Sequence, residues 1–255
     1  MKTNTHNAVV IDQYATRAEA YLTSPVHAQG ADLQHMANLI GPRPDAIALD
    51  MGCGGGHVAF RIAGLVNKVV AYDLTAAMLT TVAAEAQRRG LQNIVTKQGA
   101  AETLPCPDAS FDVVATRYSA HHWHSFAQGL AQMHRASKPG ALALFMDVVT
   151  PGIALLDTWL QSMELLRDAS HVRNASLAEW TSTLTNLGFA VDEVQKYRLR
   201  LDFTSWTERM NTPATHVAAI RSLQQRAAAA VTDYFEIEKD GSFVVDTVLI
   251  AAHKV

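Results

Sequence analysis

The residues able to do chemistry fall in a few short stretches. The sharpest is Asp50-Met51-Gly52-Cys53-Gly54-Gly55-Gly56-His57. Glycines permit a tight turn and let backbone approach a ligand closely. Gly52 fits the turn and Gly54 the close approach, while Gly56 opens a helix whose first N–H groups favour a negative group. Asp73 follows Asp50 by 23 residues. A carboxylate there can accept both hydroxyls of a ribose, so the spacing points to an adenosine-type cofactor by the logic of dinucleotide sites. A second stretch holds Arg117, Tyr118, His121, His122 and His124 around Trp123. Imidazole titrates near neutral pH, and His121 and His122 are candidates for a substrate contact or general base. Zinc would need a further ligand at a suitable spacing, and no metal site is expected. A polar loop packed beside Trp123 is the plain alternative. A third stretch is Arg167-Asp168-Ala169-Ser170-His171-Val172-Arg173, five polar side chains between apolar helices. A helix end stapled by its own ion pairs would look the same.

These residues need a scaffold, and the punctuation of the chain supplies one. Ala46 to Met51 is a short apolar run that ends in the glycines, as a buried parallel strand would. Lys68–Asp73, Asn93–Lys97, Phe111–Tyr118 and Ala141–Val149 read as four further strands. Helical patterns lie between them, one capped by Thr75 and closed by Gly90, another capped by Ser125. Alternation of this kind predicts a parallel sheet with helices on both faces, and right-handed crossovers make it doubly wound. Asp50, Asp73, Arg117 and Tyr118 then all stand at strand ends, on the crevice side of the sheet.

The flanks are helical. Tyr14, Ala18, Tyr21 and Leu22 share a face, Ser24-Pro25 interrupts, and Leu33 to Ile40 resumes until Gly41-Pro42. After Pro151 come a helix through Leu155 and Met163, a capping box at Ser176–Glu179, and a strand from Val191 to Phe203. Thr212-Pro213 then opens a helix running to Val231. Asp240-Gly241 is a hairpin signal, which predicts Tyr234–Glu238 paired with Phe243–Ala251 and a closing antiparallel strand.

Composition narrows the classes. The chain has 255 residues, 49% apolar and 18% charged, with a formal charge of −3. That composition excludes a disordered chain and shows no basic excess for nucleic acid. Cys53 and Cys106 have neither disulfide nor zinc spacing, and Cys53 reads as loop filler. No signal peptide and no run long enough to span a membrane is read, so a cytoplasmic protein is expected.

NAD and S-adenosylmethionine both suit the Asp73 spacing, and the glycines separate them. The dinucleotide pattern G-x-G-x-x-G, started at Gly52, needs glycine where His57 stands. Asp50 fits beside an ammonium and fits poorly beside a pyrophosphate.

At this point the segment resembles motif I of class I S-adenosylmethionine-dependent methyltransferases, and further motifs follow in order. Asp73-Leu74-Thr75-Ala76-Ala77-Met78-Leu79 is similar to the ribose-binding strand end. Gly99-Ala100-Ala101-Glu102-Thr103-Leu104-Pro105 is similar to the adenine-binding turn, with Ala100 where the family usually has aspartate. Ser110–Val114 and Arg135–Gly140 resemble two more family motifs. The resemblance covers about residues 40–150 and points to the ubiquinone/menaquinone C-methyltransferase-like branch. It implies a Rossmann-like sheet of seven strands with the last antiparallel. It also implies a helical lid over residues 1–40, a cofactor core over 41–150, and helical insertions after strands 5 and 6 within 151–255, all in one domain. By the resemblance Asp50 and the Gly52, Gly54 and Gly56 loop hold the methionine moiety of S-adenosylmethionine. Asp73 takes the ribose, Leu74 and Met78 sandwich the adenine, Ala101 offers its N–H, and either Glu102 or water stands in for the missing aspartate. Tyr21 and Arg117 also fall near the cofactor. Tyr118, Arg167, His171 and Arg173 are expected on the acceptor side, and His121 or His122 as proton acceptor. A small, cyclic or aromatic acceptor is implied. A cofactor-binding protein without transferase activity is the alternative, and oligomeric state stays open.

Overall fold

The protein is described by a computed structural model over residues 5–18, 22 and 30–255. Tyr21 and the Ser24-Pro25 interruption lie outside the described residues. The chain runs α1 (His6–Ala15), α2 (Ala31–Ile40), β1 (Arg43–Met51), α3 (His57–Ile62), β2 (Val66–Asp73), α4 (Ala76–Arg88) and β3 (Ile94–Gln98). It continues through β4 (Phe111–Arg117), α5 (Phe126–Ala136), β5 (Ser137–Val149), α6 (Ala154–Arg167), α7 (Leu177–Leu187) and β6 (Phe189–Leu201). It closes with α8 (Phe203–Arg209), α9 (Ala214–Gln225), α10 (Ala229–Tyr234) and β7 (Phe243–Lys254). One-turn 3₁₀ helices cover Ala101–Thr103 and Ala120–His122.

The seven strands form one sheet in the order β3-β2-β1-β4-β5-β7-β6. β1 is central, with Asp50 opposite Ala71 of β2 on one side and Ala115 of β4 on the other. All pairs are parallel except those of β7, which runs antiparallel to both β5 and β6. The chain leaves β1 for β2 and β3 on one side, then returns to β4 on the other. That reversal opens a crevice at the carboxyl ends of β1 and β4. α5 and α7 cover one face, where Leu130, Met133, Trp180 and Leu184 meet Leu49, Val114 and Phe145. α2, α3 and α4 cover the other, where Met36, Ile62 and Val82 meet Ala48, Val69 and Leu144. α6, α8, α9 and α10 enclose a third cluster built on Trp159, Trp206, Phe235 and Phe243. Among the described residues no helix is long and apolar enough to cross a membrane.

The capping box at Ser176 and Glu179 is formed. Thr75 and Ser125 stand at helix starts, but neither side chain caps. Carboxylates reach in from elsewhere: Asp73 Oδ1 accepts from Thr75 N at 2.8 Å, and Glu102 Oε1 from Ser125 N at 3.0 Å. The expected terminal hairpin is not formed. Tyr234 ends α10 and residues 234–238 form no strand; β7 pairs with β5 and β6, and the turn is held by Val244 N donating to Phe235 O at 2.7 Å and Glu238 N donating to Ser242 O at 2.8 Å. Asp240-Gly241 still turns the chain, with Asp240 Oδ1 accepting from Ser242 N at 2.9 Å.

Candidate active site

The ends of β1, β2 and β4 open into one cavity of about 1450 Å³, counting its open mouth. Asp50, Gly52, Cys53, Gly54 and Gly55 form one wall. Gly52 has φ +69°, and a Cβ there would fall 1.8 Å from Ser119 Oγ. Only glycine lets β1 pass this close to the end of β4. Gly56 lies off the cavity wall. Its φ is +81°, and a Cβ would fall 2.9 Å from Phe60 and Val82, so its position serves packing of α3.

Asp50 is 1% exposed, and its Oδ2 accepts from Ala59 N at 3.0 Å. Burial pushes its pKa from 3.8 to about 7, the Ala59 N–H pulls it back, and the charge of Asp73 adds to the rise. At the end of β2, Asp73 Oδ2 accepts from Gly54 N at 2.9 Å while Oδ1 accepts from Thr75 N. One carboxylate thus ties the glycine loop to the start of α4. Burial raises its pKa, and those backbone bonds oppose the rise. Leu74, Met78, Ala101 and Glu102 lie along the same wall. The Tyr72 hydroxyl donates to Ala100 O at 2.9 Å and fixes the turn before Ala101. Glu102 has one oxygen committed to Ser125 N.

Arg117 ends β4 on the cavity wall, and its Nε lies 2.5 Å from Asp32 Oδ2. The two side chains are 4% and 7% exposed, an ion pair taken out of water. Tyr118 has φ +51° and its ring lies 4.7 Å below the Arg117 guanidinium. Desolvation pushes its hydroxyl pKa well up.

The one-turn helix after β4 presents His121 and His122 to the cavity, with ring centroids 4.2 Å apart. His121 Nδ1 lies 2.6 Å from Asp147 Oδ1. Burial opposes charging that ring, but the Asp147 carboxylate outweighs burial and the pKa is raised. His122 behaves oppositely. Burial and the charge of His121 push its pKa down to about 4, although Asp168 lies 4.0 Å away. Tyr14 of α1 also lines the cavity, and its hydroxyl lies 2.8 Å from His122 Nε2.

The Arg167–Arg173 segment splits in two. Arg167 lines the cavity, donates from Nε to Trp206 O at 3.0 Å, and lies 5.0 Å over the Trp206 ring. His171 is off the cavity wall, 2.9 Å from Gln161 Oε1, its pKa pushed down to about 2 by burial and by His121. Arg173 points to the surface, paired with Glu179 at 2.6 Å and Asp157 at 3.0 Å, so it joins α7 to α6. Its expected place beside an acceptor is not where the structure puts it. Asp32, Asp147, Tyr14, Glu164 and Trp206 are site residues that the sequence did not single out. Asp147 carried one signal, a lone acid inside the apolar run Ala141–Val149.

Asp50 has a measurable consequence. Its folded pKa lies above the unfolded value, so the empty protein loses stability as pH rises from about 4 to about 7. A bound ammonium beside it would favour the carboxylate and expel the proton. Titration with S-adenosylhomocysteine near pH 6.5 should therefore release part of a proton, seen as heats that vary with buffer ionisation enthalpy. Asp50→Asn should abolish that release, weaken binding, and raise the melting temperature of the empty protein at pH 8. Heats that are independent of the buffer would refute the assignment.

A methyltransferase-domain family model matches residues 49–145. The uncharacterized protein YafE of Escherichia coli K12 is 46% identical over 203 residues, covering 80% of this chain and 98% of YafE. The uncharacterized methyltransferase YcgJ of Bacillus subtilis is 32% identical over 246 residues, 94% of this chain and 97% of YcgJ. The YcgJ crystal structure superposes with a TM-score of 0.84 over 88% of this chain and 97% of that one. The demethylmenaquinone methyltransferase of Chlorobaculum tepidum is 33% identical over 109 residues, 42% of this chain and 43% of that protein. With the motifs in order, the sheet of the same topology and relatives matched over nearly their whole length, the chain belongs to the class I S-adenosylmethionine-dependent methyltransferases.

Proposed function

We propose that the protein transfers the methyl group of S-adenosylmethionine to a small, cyclic or aromatic acceptor bound beside His121 and His122. The observation that carries this reading is the continuity of the cavity. Its wall runs from Asp73 and the glycine loop, past His121 and His122, to Arg167, Leu201 and Trp206. One end has the polar groups for an adenosine, and the other sets Leu199, Leu201 and Trp206 as surface for a ring among the polar side chains Glu164, Arg167 and Arg209. When bound, the cofactor supplies an electrophilic methyl group. Asp50 and the Gly52–Gly55 loop hold the methionine moiety, Asp73 the ribose, and Leu74, Met78 and Ala101 the adenine. Glu102, half committed to α5, is left with one oxygen for the ring. Arg117, fixed by Asp32, bounds the methionine side. Tyr118 and Arg167 face the acceptor. Alignment of donor and acceptor is the main catalytic contribution, and proximity of this kind is worth about 7–11 kcal/mol. The demethylmenaquinone methyltransferase relative favours a flat ring system. A cytoplasmic location and the absence of a nucleic-acid partner are part of the same reading.

Incubation with methyl-labelled cofactor and a small-molecule extract tests it. One labelled organic product should appear with an equal amount of S-adenosylhomocysteine. Cofactor binding without any labelled product would instead make the protein a sensor or scaffold.

A further inference from the structure

His122 is fixed by its surroundings in one tautomer. Its Nδ1 lies 3.1 Å from Ser170 O and 3.3 Å from Ser170 Oγ. The carbonyl has no proton to give, and the hydroxyl proton is spent on Asp168 Oδ1 at 2.6 Å. Both Ser170 oxygens are therefore acceptors, and Nδ1 carries the hydrogen. Nε2 of the neutral ring is left with its lone pair, and that lone pair faces Tyr14. The Tyr14 hydroxyl lies 2.8 Å from Nε2 and 3.2 Å from Asp168 Oδ2. A hydroxyl has one proton for these two acceptors. It donates to Nε2 while His122 is neutral. It can donate to Asp168 and accept from Nε2–H once His122 is charged. Both states are fully hydrogen-bonded without any side chain moving.

The neighbouring histidine is arranged otherwise. His121 Nδ1 and its backbone N–H both meet Asp147, at 2.6 and 3.3 Å. The Asp147 carboxylate favours the charged form of His121, and charge on that ring disfavours charging His122 across a 4.2 Å ring separation. Paired titratable groups whose environments drive them apart divide the roles of acid and base. Among the described residues, the carboxylates of Asp147 and Asp168 act on His122, the His171 ring, whose burial disfavours its charged form, lies 6.5 Å away, and His6 Nε2 meets the His122 carbonyl at 2.8 Å.

We propose that Tyr14, His122 and Asp168 form a proton relay for an acceptor hydroxyl, with Tyr14 touching the acceptor and the His121–Asp147 pair serving as hydrogen-bond donor. This rests on the methyl-transfer reading above. As the acceptor oxygen bonds to the methyl carbon, the carbon–sulfur bond breaks and its electron pair stays on sulfur. The hydroxyl proton passes to Tyr14 Oη, and the proton already on Tyr14 passes to His122 Nε2. The products are the methyl ether, S-adenosylhomocysteine and a charged His122, steadied through Tyr14 by Asp168. One positive charge leaves sulfur and one appears on imidazole, so the net charge of the site is unchanged.

Nitrogen NMR of histidine-labelled protein saturated with S-adenosylhomocysteine tests the relay without knowledge of the acceptor. Neutral His122 should be the Nδ1–H tautomer. Tyr14→Phe should lower the His122 pKa by at least about half a unit, because the link to Asp168 serves the charged ring more than the neutral one. With the acceptor from the labelled-cofactor assay, Tyr14→Phe and His122→Ala should each slow turnover about 10²-fold or more. The double variant should be no slower than the worse single one. S-adenosylhomocysteine affinity should stay within twofold throughout. An Nε2–H tautomer, an unmoved His122 titration in Tyr14→Phe, or rate losses that multiply would overturn the relay. Loss of cofactor binding or of any labelled product in the wild type would overturn the methyl-transfer reading instead, and the tautomer result would stand apart from it.

Discussion

Asp73→Ala should weaken S-adenosylhomocysteine binding by about a hundredfold or more while leaving the protein folded. The carboxylate has two kinds of work. It accepts one backbone N–H on each oxygen, from Gly54 and Thr75. A carboxylate has about four lone-pair sites, so two remain for a ribose diol. Hydrogen bonds to a charged group contribute about 1.5–3 kcal/mol each, and two amount to at least about 3 kcal/mol. Each 1.4 kcal/mol is about tenfold in affinity. Loss of the Gly54 tie also lets the glycine loop relax, which adds to the effect. Asp73→Asn separates the two roles. It keeps one acceptor oxygen and most of the loop, so its loss should be intermediate. Calorimetry on both variants decides it, and NAD should give no heat with any of them. Full affinity in a folded Asp73→Ala protein would remove Asp73 from the cofactor site.

Asp73 was readable from sequence because its evidence is local. A strand, its terminal acid and the glycines that face it all lie within 24 residues, from Asp50 to Asp73. The sheet was readable for the same reason, since each strand announces itself by its own apolar run. His121 and His122 could be placed because strand four ends just before them. The partners that set their chemistry are another matter. Asp147 is 26 residues from His121, Tyr14 is 108 from His122, and Asp32 is 85 from Arg117. Nothing in the periodicity of α1 distinguishes Tyr14 from an ordinary helix-packing aromatic. Arg173 shows the converse limit. A run of polar residues between helices gives no hint of which side chains turn inward. Here Asp168 is 1% exposed and His171 6%, while Arg173 reaches out to two carboxylates on the surface. The terminal hairpin failed on a similar point. A good turn at Asp240-Gly241 says that the chain reverses, but not that the preceding segment joins the sheet.

Asp32→Ala should cost about 3–5 kcal/mol of stability, the range for breaking a buried ion pair on one side. Asp32 sits in the first turn of α2, with its carboxylate 7% exposed against the Arg117 Nε. Taking both charges out of water is expensive, and the bond between them offsets that only while both are present. Removing the acid takes away the carboxylate that meets the Arg117 Nε, at a guanidinium only 4% exposed. Denaturant unfolding should show the loss as a lower midpoint with an unchanged slope. The same pair pins α2 to the end of β4, so cofactor binding should weaken as well, by less than in Asp73→Ala. The sharper test is the double variant Asp32→Leu/Arg117→Met. It removes both charges and fills the space with apolar volume, which often restores stability at a former ion pair. It should be more stable than Asp32→Ala and yet bind S-adenosylhomocysteine poorly, because Arg117 lines the cavity. Stability of Asp32→Ala within about 1 kcal/mol of wild type would show that the pair contributes little. Full cofactor affinity in the double variant would show that Arg117 bounds the cavity without acting on what it holds.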